Sequence, residues 1–174
     1  MTWWFTLAPR YLGQIMVLRH TGRKSGLVRY TPLNYALVEN ELYCTAGFGH
    51  VADWYRNIMA LPQVEVWLPD GRWAGTAEDM TEQANALDLL RQVLIGSGFA
   101  AFAAGINPYT LSDEALAEVT QGYRLIHIRR AEIITGYHLG DYAVLHEKVW
   151  RSASAEPFEV ISIYSFEGDK CSRV

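Results

Sequence analysis

The sequence predicts an α+β fold, mainly antiparallel β: a barrel of about six strands with two to four short helices inserted among them. Three observations carry this expectation. Short apolar runs rich in branched and aromatic side chains alternate with Gly, Pro and Asn turn signals, the pattern of hairpin-linked strands. No strand–helix–strand rhythm is present, which argues against a doubly wound parallel sheet. The chain has 174 residues, 50% hydrophobic and 20% charged, and so suits one domain with a real core.

Ile15 to Arg19 reads as a buried strand, and Leu27 to Val38 as a longer one beyond a turn bracketed by Gly22 and Gly26. Pro32 lacks a backbone donor, so the second strand is expected to be at an edge, bulged or interrupted there. Glu39-Asn40 turns the chain back through Leu42 to Thr45, and Gly47-Phe48-Gly49 ends that strand in a loop. Asp53 to Leu61 reads as a short helix closed by Pro62. Val64–Leu68 and Arg72–Ala77 flank the turn Pro69-Asp70-Gly71. Thr81 is expected to cap an amphipathic helix with Ala84, Leu87, Leu90 and Leu94 on one stripe, ending at Gly96. Ser112, Asp113 and Glu114 open a further short helix that stops at Gly122, and Tyr123 to Ile128 is a strand. Residues 1–150 are expected to form one domain. Residues 151–174 form a tail whose strand-like run Phe158 to Tyr164 either adds a strand or hangs loosely.

Composition and motifs exclude several functions. A net charge of −4 is wrong for a general nucleic-acid binder, so any anion site must be local. Cys44 and Cys171 show no staple or metal-knuckle spacing, which points to a reducing cytoplasm. No apolar run is long enough to span a bilayer. Trp3, Trp4 and Phe5 suit packing on this domain or a second subunit better than a membrane interface. His20, His50, His127, His138 and His146 lack metal-ligand spacing, and no metal is expected. Gly96-Ser97-Gly98 is not a nucleophile elbow, and the Lys24-Ser25 pair lacks the glycine spacing of a phosphate loop.

What is left is the basic turn Thr21-Gly22-Arg23-Lys24-Ser25-Gly26, with Arg29 just beyond it. Two glycines free the backbone, two cations and a hydroxyl sit between them, and guanidinium and ammonium groups bind phosphate or carboxylate. A solvated charged hairpin is the competing reading. Pro32, Asn34 and Tyr35 follow on the same strand and Gly47-Phe48-Gly49 ends the next, a set that suits a planar redox ring with an anionic tail.

Two linked motifs extend this. Thr21-Gly22-Arg23-Lys24-Ser25-Gly26-x-x-Arg29-x-x-Pro32-Leu33 is followed, past a hairpin, by Asp53-Trp54-Tyr55-x-Asn57-x-x-Ala60-x-Pro62-x-Val64-x-Val66. Together, over roughly Ile15 to Arg130, they resemble the deazaflavin-dependent nitroreductase family, small split-β-barrel oxidoreductases related to FMN-binding flavoproteins. The resemblance implies a bound deazaflavin, coenzyme F420, with FMN as the alternative. It implies hydride transfer to a small organic acceptor such as a quinone or nitro compound. Arg23, Lys24, Ser25 and Arg29 would hold the phosphate and acidic tail; Pro32, Leu33 and Asn34, with the backbone of Ala46, Gly47, Phe48 and Gly49, would lie by the ring. Trp54, Tyr55 and Asn57 would seat the short helix against the barrel.

The chain departs from that pattern in two places. Its loop Ala46 to His50 has no lysine, and Phe99 and Phe102 stand where the nitroreductases carry tyrosines over the substrate. These phenylalanines can line a substrate pocket but cannot donate a proton. Tyr35 and Tyr109 are the candidate donors, beside water. Rival expectations are a non-enzymatic barrel for a flavin, haem-like or lipid ligand, and a barrel serving only in protein contacts. Whether the chain is a monomer or a homodimer is left open.

Overall fold

A computed structural model of the protein describes residues 13–149, 156, 158–167 and 170–173. The chain divides into two compact units, Met1–Arg129 and Arg130–Val174. Among the described residues no helix is long and apolar enough to cross a membrane. The expectations for Trp3, Trp4 and Phe5 lie outside the described residues.

The first unit is built on a closed six-stranded antiparallel barrel. Its strands are β1 (Ile15–Thr21), β2 (Val28–Val38), β3 (Glu41–Ala46), β4 (Gln63–Leu68), β5 (Gly71–Asp79) and β6 (Arg124–Arg130), and they run around the barrel in the order β1-β2-β3-β6-β5-β4. The expected barrel is therefore present, with the expected hairpins. Glu39 and Asn40 turn between β2 and β3 with φ of 52° and 68°, a conformation that asparagine tolerates and that matches the twist of adjoining strands. Met16, Leu18, Tyr35, Leu42, Cys44, Val66, Ile126 and Ile128 fill the interior.

The register of β2 decides which part of that strand is free to meet a ligand. Residues 28–34 pair with β1, whereas only residues 35–38 pair with β3. Pro32 thus falls in a stretch paired on one side, where a missing N–H costs nothing. It is neither bulged nor a break, since Val17 stands opposite it in an unbroken ladder.

Among the described residues, four α-helices decorate the barrel: α1 (Asp53–Ala60), α2 (Ala86–Gly96), α3 (Phe99–Ala103) and α4 (Asp113–Val119). Ser112 caps α4 as expected, its hydroxyl oxygen accepting from the Ala115 N–H. The expected cap of α2 is corrected. That helix starts after Asn85, and the Thr81 hydroxyl instead accepts from the Leu125 N–H at 2.9 Å, tying the approach segment to β6. Its buried stripe is Leu89, Leu90, Val93 and Leu94, which packs with Ala36 and Leu125; Ala84 precedes the helix and is exposed.

The second unit is a four-stranded antiparallel sheet in the order β10-β9-β8-β7. Its strands are β7 (Glu132–Leu139), β8 (Tyr142–Val149), β9 (Phe158–Glu167) and β10 (Lys170–Arg173). The strand-like run Phe158 to Tyr164 lies in β9.

Helix α1 is seated on the barrel by its aromatic pair. Trp54 and Tyr55 pack against the core, and the Tyr55 hydroxyl donates to Asp79 Oδ2 at 2.5 Å. Burial, reinforced by that bond and the Asp79 charge, pushes Tyr55 up to about 12. Burial alone would raise Asp79 as well. Donation from the Thr81 hydroxyl, from Tyr55 and from the Thr81 N–H, with the Arg124 charge, outweighs it and holds Asp79 below its ordinary 3.8. A carboxylate with a lowered folded pKa stabilises the protein above its unfolded pKa and loses that contribution as pH falls through the folded value. Tyr55→Phe is accordingly expected to cost about 1.5–3 kcal/mol at neutral pH in urea unfolding. The gap from wild type should narrow once the pH drops below 3.8 and Asp79 protonates.

Candidate functional site

The basic turn closes on itself. The Gly22 N–H donates to the Leu27 carbonyl and the Gly26 N–H to the Gly22 carbonyl, each at 2.8 Å, while the Ser25 oxygen accepts from the Leu27 N–H at 3.3 Å. Gly26 sits at φ +67°, where a side chain would be strained. Beside the turn opens a cavity of about 490 Å³ lined by Arg23, Lys24, Ser25 and Arg29, with His20, Thr31 and Asp53 among its other walls. Arg23, Lys24 and Arg29 against the single carboxylate of Asp53 make this local surface positive on a chain of net charge −4.

The cations are not equivalent. Arg23 is turned into the protein: Nη1 donates to Asn57 Oδ1 at 2.8 Å and to the Asp53 carbonyl at 3.3 Å, and Nη2 reaches Asp53 Oδ1 at 3.0 Å. The Arg23 backbone N–H also donates to Asn57 Oδ1, at 3.1 Å. Arg23 therefore clamps the turn to α1 while it also lines the cavity. Lys24 and Arg29 are exposed and form no ion pair among the described residues. Trp54 and Asn57, expected only to seat the helix, do so and line the cavity as well.

His20 is a wall of the cavity that motif spacing misses, although β1 carries its signal. Strand β1 alternates in burial, and His20 falls in phase with Met16 and Leu18 on the inner face. Its register partner on β2 is Arg29, so the two side chains share one face at the barrel end. Burial, with Arg29 adding to it, lowers the pKa of His20 despite an opposing hydrogen bond with the Thr21 backbone.

The remaining expected residues are placed apart from the cavity walls. Leu33 packs against the core, between the outward positions of Pro32 and Asn34, and the Asn34 amide donates to the Gln14 carbonyl at 3.2 Å. Ala46 is buried in the core, Phe48 is 85% exposed, and Gly49 presses on the chain at Gly122, whose carbonyl oxygen would collide with any Cβ there. Tyr35 is buried in the barrel, its pKa raised chiefly by burial, so it is not positioned as a proton donor to this cavity. Phe99, Phe102 and Tyr109 are exposed, and Phe102 and Tyr109 stack at 6.3 Å with an 18° interplanar angle. Burial pushes the Cys44 thiol up to about 12, which removes it as a nucleophile. Among the described residues no group of three His, Cys, Asp or Glu side chains is placed to hold a metal ion.

Residues 7–106, more than half of the chain, match the model of the F420H(2)-dependent quinone reductase family. This chain belongs to that family. It is thus an oxidoreductase of an F420-dependent family, and the matched segment contains the basic turn, α1 and the single-sided stretch of β2. No curated protein matches. Among solved structures, a candidate 5-nitroimidazole antibiotic resistance protein from Bacteroides thetaiotaomicron shares the fold at a TM-score of 0.50 and 11% identity, over 68% of this chain and 73% of its own. An F420-H2 dependent reductase aligns at 0.48 and 21% identity, over 67% and 93%. An FMN-binding, pyridoxamine 5′-phosphate oxidase-related protein from Nostoc punctiforme aligns at 0.47 and 13%, over 98% and 90%.

The clamp leads to a prediction about stability. Arg23→Ala strips the acceptor Asn57 Oδ1 of its guanidinium donor and leaves the backbone N–H of residue 23 to tie the turn to α1, and should cost about 1–3 kcal/mol in denaturant unfolding. Lys24→Ala, at an exposed position, should stay within about 0.5 kcal/mol of wild type.

Proposed function

We propose that the turn holds the phosphate and acidic tail of F420 through Lys24, Arg29 and the Ser25 hydroxyl, and that the protein reduces a small planar acceptor, such as a quinone, by hydride transfer. The observation that carries this is the open positive cavity, in which Lys24 and Arg29 remain uncommitted after Arg23 has been taken up by α1. The residues present fit such a group. A phosphate needs cations and hydroxyls that no internal carboxylate has claimed, and Asp53, the one acidic wall, is bound to Arg23.

F420H2, when bound, supplies a hydride. The chain's task is then to bind, orient and shield, because hydride transfer needs donor and acceptor held close and dry more than it needs an acid–base pair. Pro32 and Asn34, on the stretch of β2 that pairs on one side only, and the backbone from Ala46 to Gly49 are the residues that would flank the ring. Exposed Phe99 and Phe102 offer apolar surface for a flat acceptor. The proton that completes reduction of a quinone comes from water or from Tyr109, whose ring is exposed against Phe102. Tyr35, sealed in the core, has no part in it.

Lys24→Ala and Arg29→Ala are each expected to weaken F420 binding by about 1–3 kcal/mol, the loss of one charge-assisted contact. Absorbance titration of wild type and both variants with F420, and in parallel with FMN, reads this directly. Unchanged affinity in both variants would remove the cradle. Binding of F420 without any quinone-dependent oxidation of F420H2 would make the protein a carrier and not a reductase.

A further inference from the structure

One wall of the cavity contains a relay that anion binding alone does not explain. Asn57 Oδ1 is committed twice to Arg23, at 2.8 Å from Nη1 and 3.1 Å from the backbone N–H. An amide fixed by its oxygen must present its NH2 on the other side, and Nδ2 lies 3.5 Å from His20 Nδ1. A donor facing Nδ1 selects one neutral form of the ring, with Nδ1 bare and the proton on Nε2. That Nε2–H then donates to Thr31 Oγ1 at 3.0 Å. His20 is 3% exposed, and besides these two side chains the ring bonds the Thr21 backbone, a contact that favours the charged ring and that burial outweighs.

We propose that His20 and Asn57 are positioning residues for the basic turn, that they act through Arg23, and that they hold the turn only while His20 is neutral. Protonation of His20 therefore loosens the turn and weakens its hold on a phosphate-bearing ligand. The ligand half of this rests on the reading of the site as an F420 cradle; the half that concerns the turn does not.

Protonation would set a second donor, Nδ1–H, against the Asn57 NH2. The amide can relieve this by rotating to offer its oxygen to His20. It would then face its NH2 toward the Arg23 N–H and guanidinium, donor against donor, and both bonds to Arg23 would be lost. Every charged group around the ring bears on this. Arg29 stands opposite His20 on β2, with Arg23 and Lys24 on the turn and Asp53, paired with Arg23, on α1. Glu65 on the neighbouring β4 is turned to Arg19 and to Trp67 Nε1. Burial, with Arg29, outweighs the opposing Thr21 backbone bond and keeps the ring below its ordinary 6.5, so the clamp is intact above 6.5 and is lost as pH falls from there toward the lowered value. Simple electrostatics predicts the reverse for the ligand, since a protonated His20 would add a cation beside a phosphate.

The test needs no ligand at first. In 15N-labelled protein above about pH 7, clear of the ordinary histidine range, His20 should show a bare Nδ1 and a protonated Nε2. On acidification, amide-exchange protection of Arg23, corrected for intrinsic rate, should fall by about tenfold or more with the same midpoint as His20. Asn57→Asp keeps an oxygen for Arg23 and offers a second to a protonated His20; it should raise the His20 midpoint and abolish the pH-dependent loss of protection. Asn57→Ala should lose protection at every pH. A proton on Nδ1 in the neutral ring of the wild type, or Arg23 protection unchanged across the His20 titration, overturns the relay. With F420 added, Kd should rise about tenfold or more over the same interval in wild type and stay flat in Asn57→Asp. A Kd that tightens on acidification overturns the ligand half. No F420 binding to wild type at any pH would defeat the functional reading and leave the relay to be judged by the turn alone.

Discussion

The side-chain oxygen of Asn57 accepts two hydrogen bonds from one residue, Arg23, and the architecture of the site depends on it. Those bonds join a glycine-flanked turn, which local backbone bonds alone would leave free to swing, to a helix that is itself anchored on the barrel by Trp54 and Tyr55. The turn thereby becomes part of the rigid scaffold. An anion site made of flexible cations must order them when ligand arrives, at a cost in side-chain entropy. Here the backbone and one guanidinium are already in place, and only Lys24 and Arg29 have that cost left to meet.

The basic residues consequently divide their work. Arg23, with its planar fork, suits a fixed bidentate role and is committed to Asp53 and Asn57. Lys24, a mobile point charge, and Arg29, placed opposite His20, line the cavity and are the two cations that the proposed function gives to the ligand. Because the chain as a whole is acidic, this small positive field is a local feature, suited to one phosphorylated molecule and unsuited to a polyanion. Strand pairing supports the same picture. The part of β2 that lacks β3 as a neighbour runs from the turn to Asn34, and its residues Arg29, Tyr30 and Thr31 line the cavity.

Much of this is legible in the sequence, for reasons that are local. Alternation and turn chemistry mark β1 to β6, with Glu39-Asn40 and Pro69-Asp70-Gly71 showing the hairpins by residue type alone. The turn and the Asp53-Trp54-Tyr55 helix are visible as paired motifs. What stays hidden depends on distant partners. Arg23 reads as an anion ligand, and its second task, the bond to Asn57 34 residues on, cannot be read locally. Thr81 has the look of a helix cap, but a bond to Leu125, 44 residues on, recruits it to the sheet. Tyr35 carries a hydroxyl, yet its position opposite Cys44 turns it into the barrel core. His20 is readable in principle from its phase with Met16 and Leu18; alternation puts a histidine on the inner face, but its partners Asn57 and Thr31 come from other elements.

The most direct test of the account compares F420 with the same deazaflavin lacking its phosphate and acidic tail, each titrated into the wild-type protein at low and high salt. If Lys24 and Arg29 grip the tail, the intact cofactor should bind about a hundredfold tighter or more at low salt, as for two charge-assisted contacts. The advantage should shrink as salt screens exposed cations. Equal affinity of the two compounds, or an advantage indifferent to salt, would contradict the account.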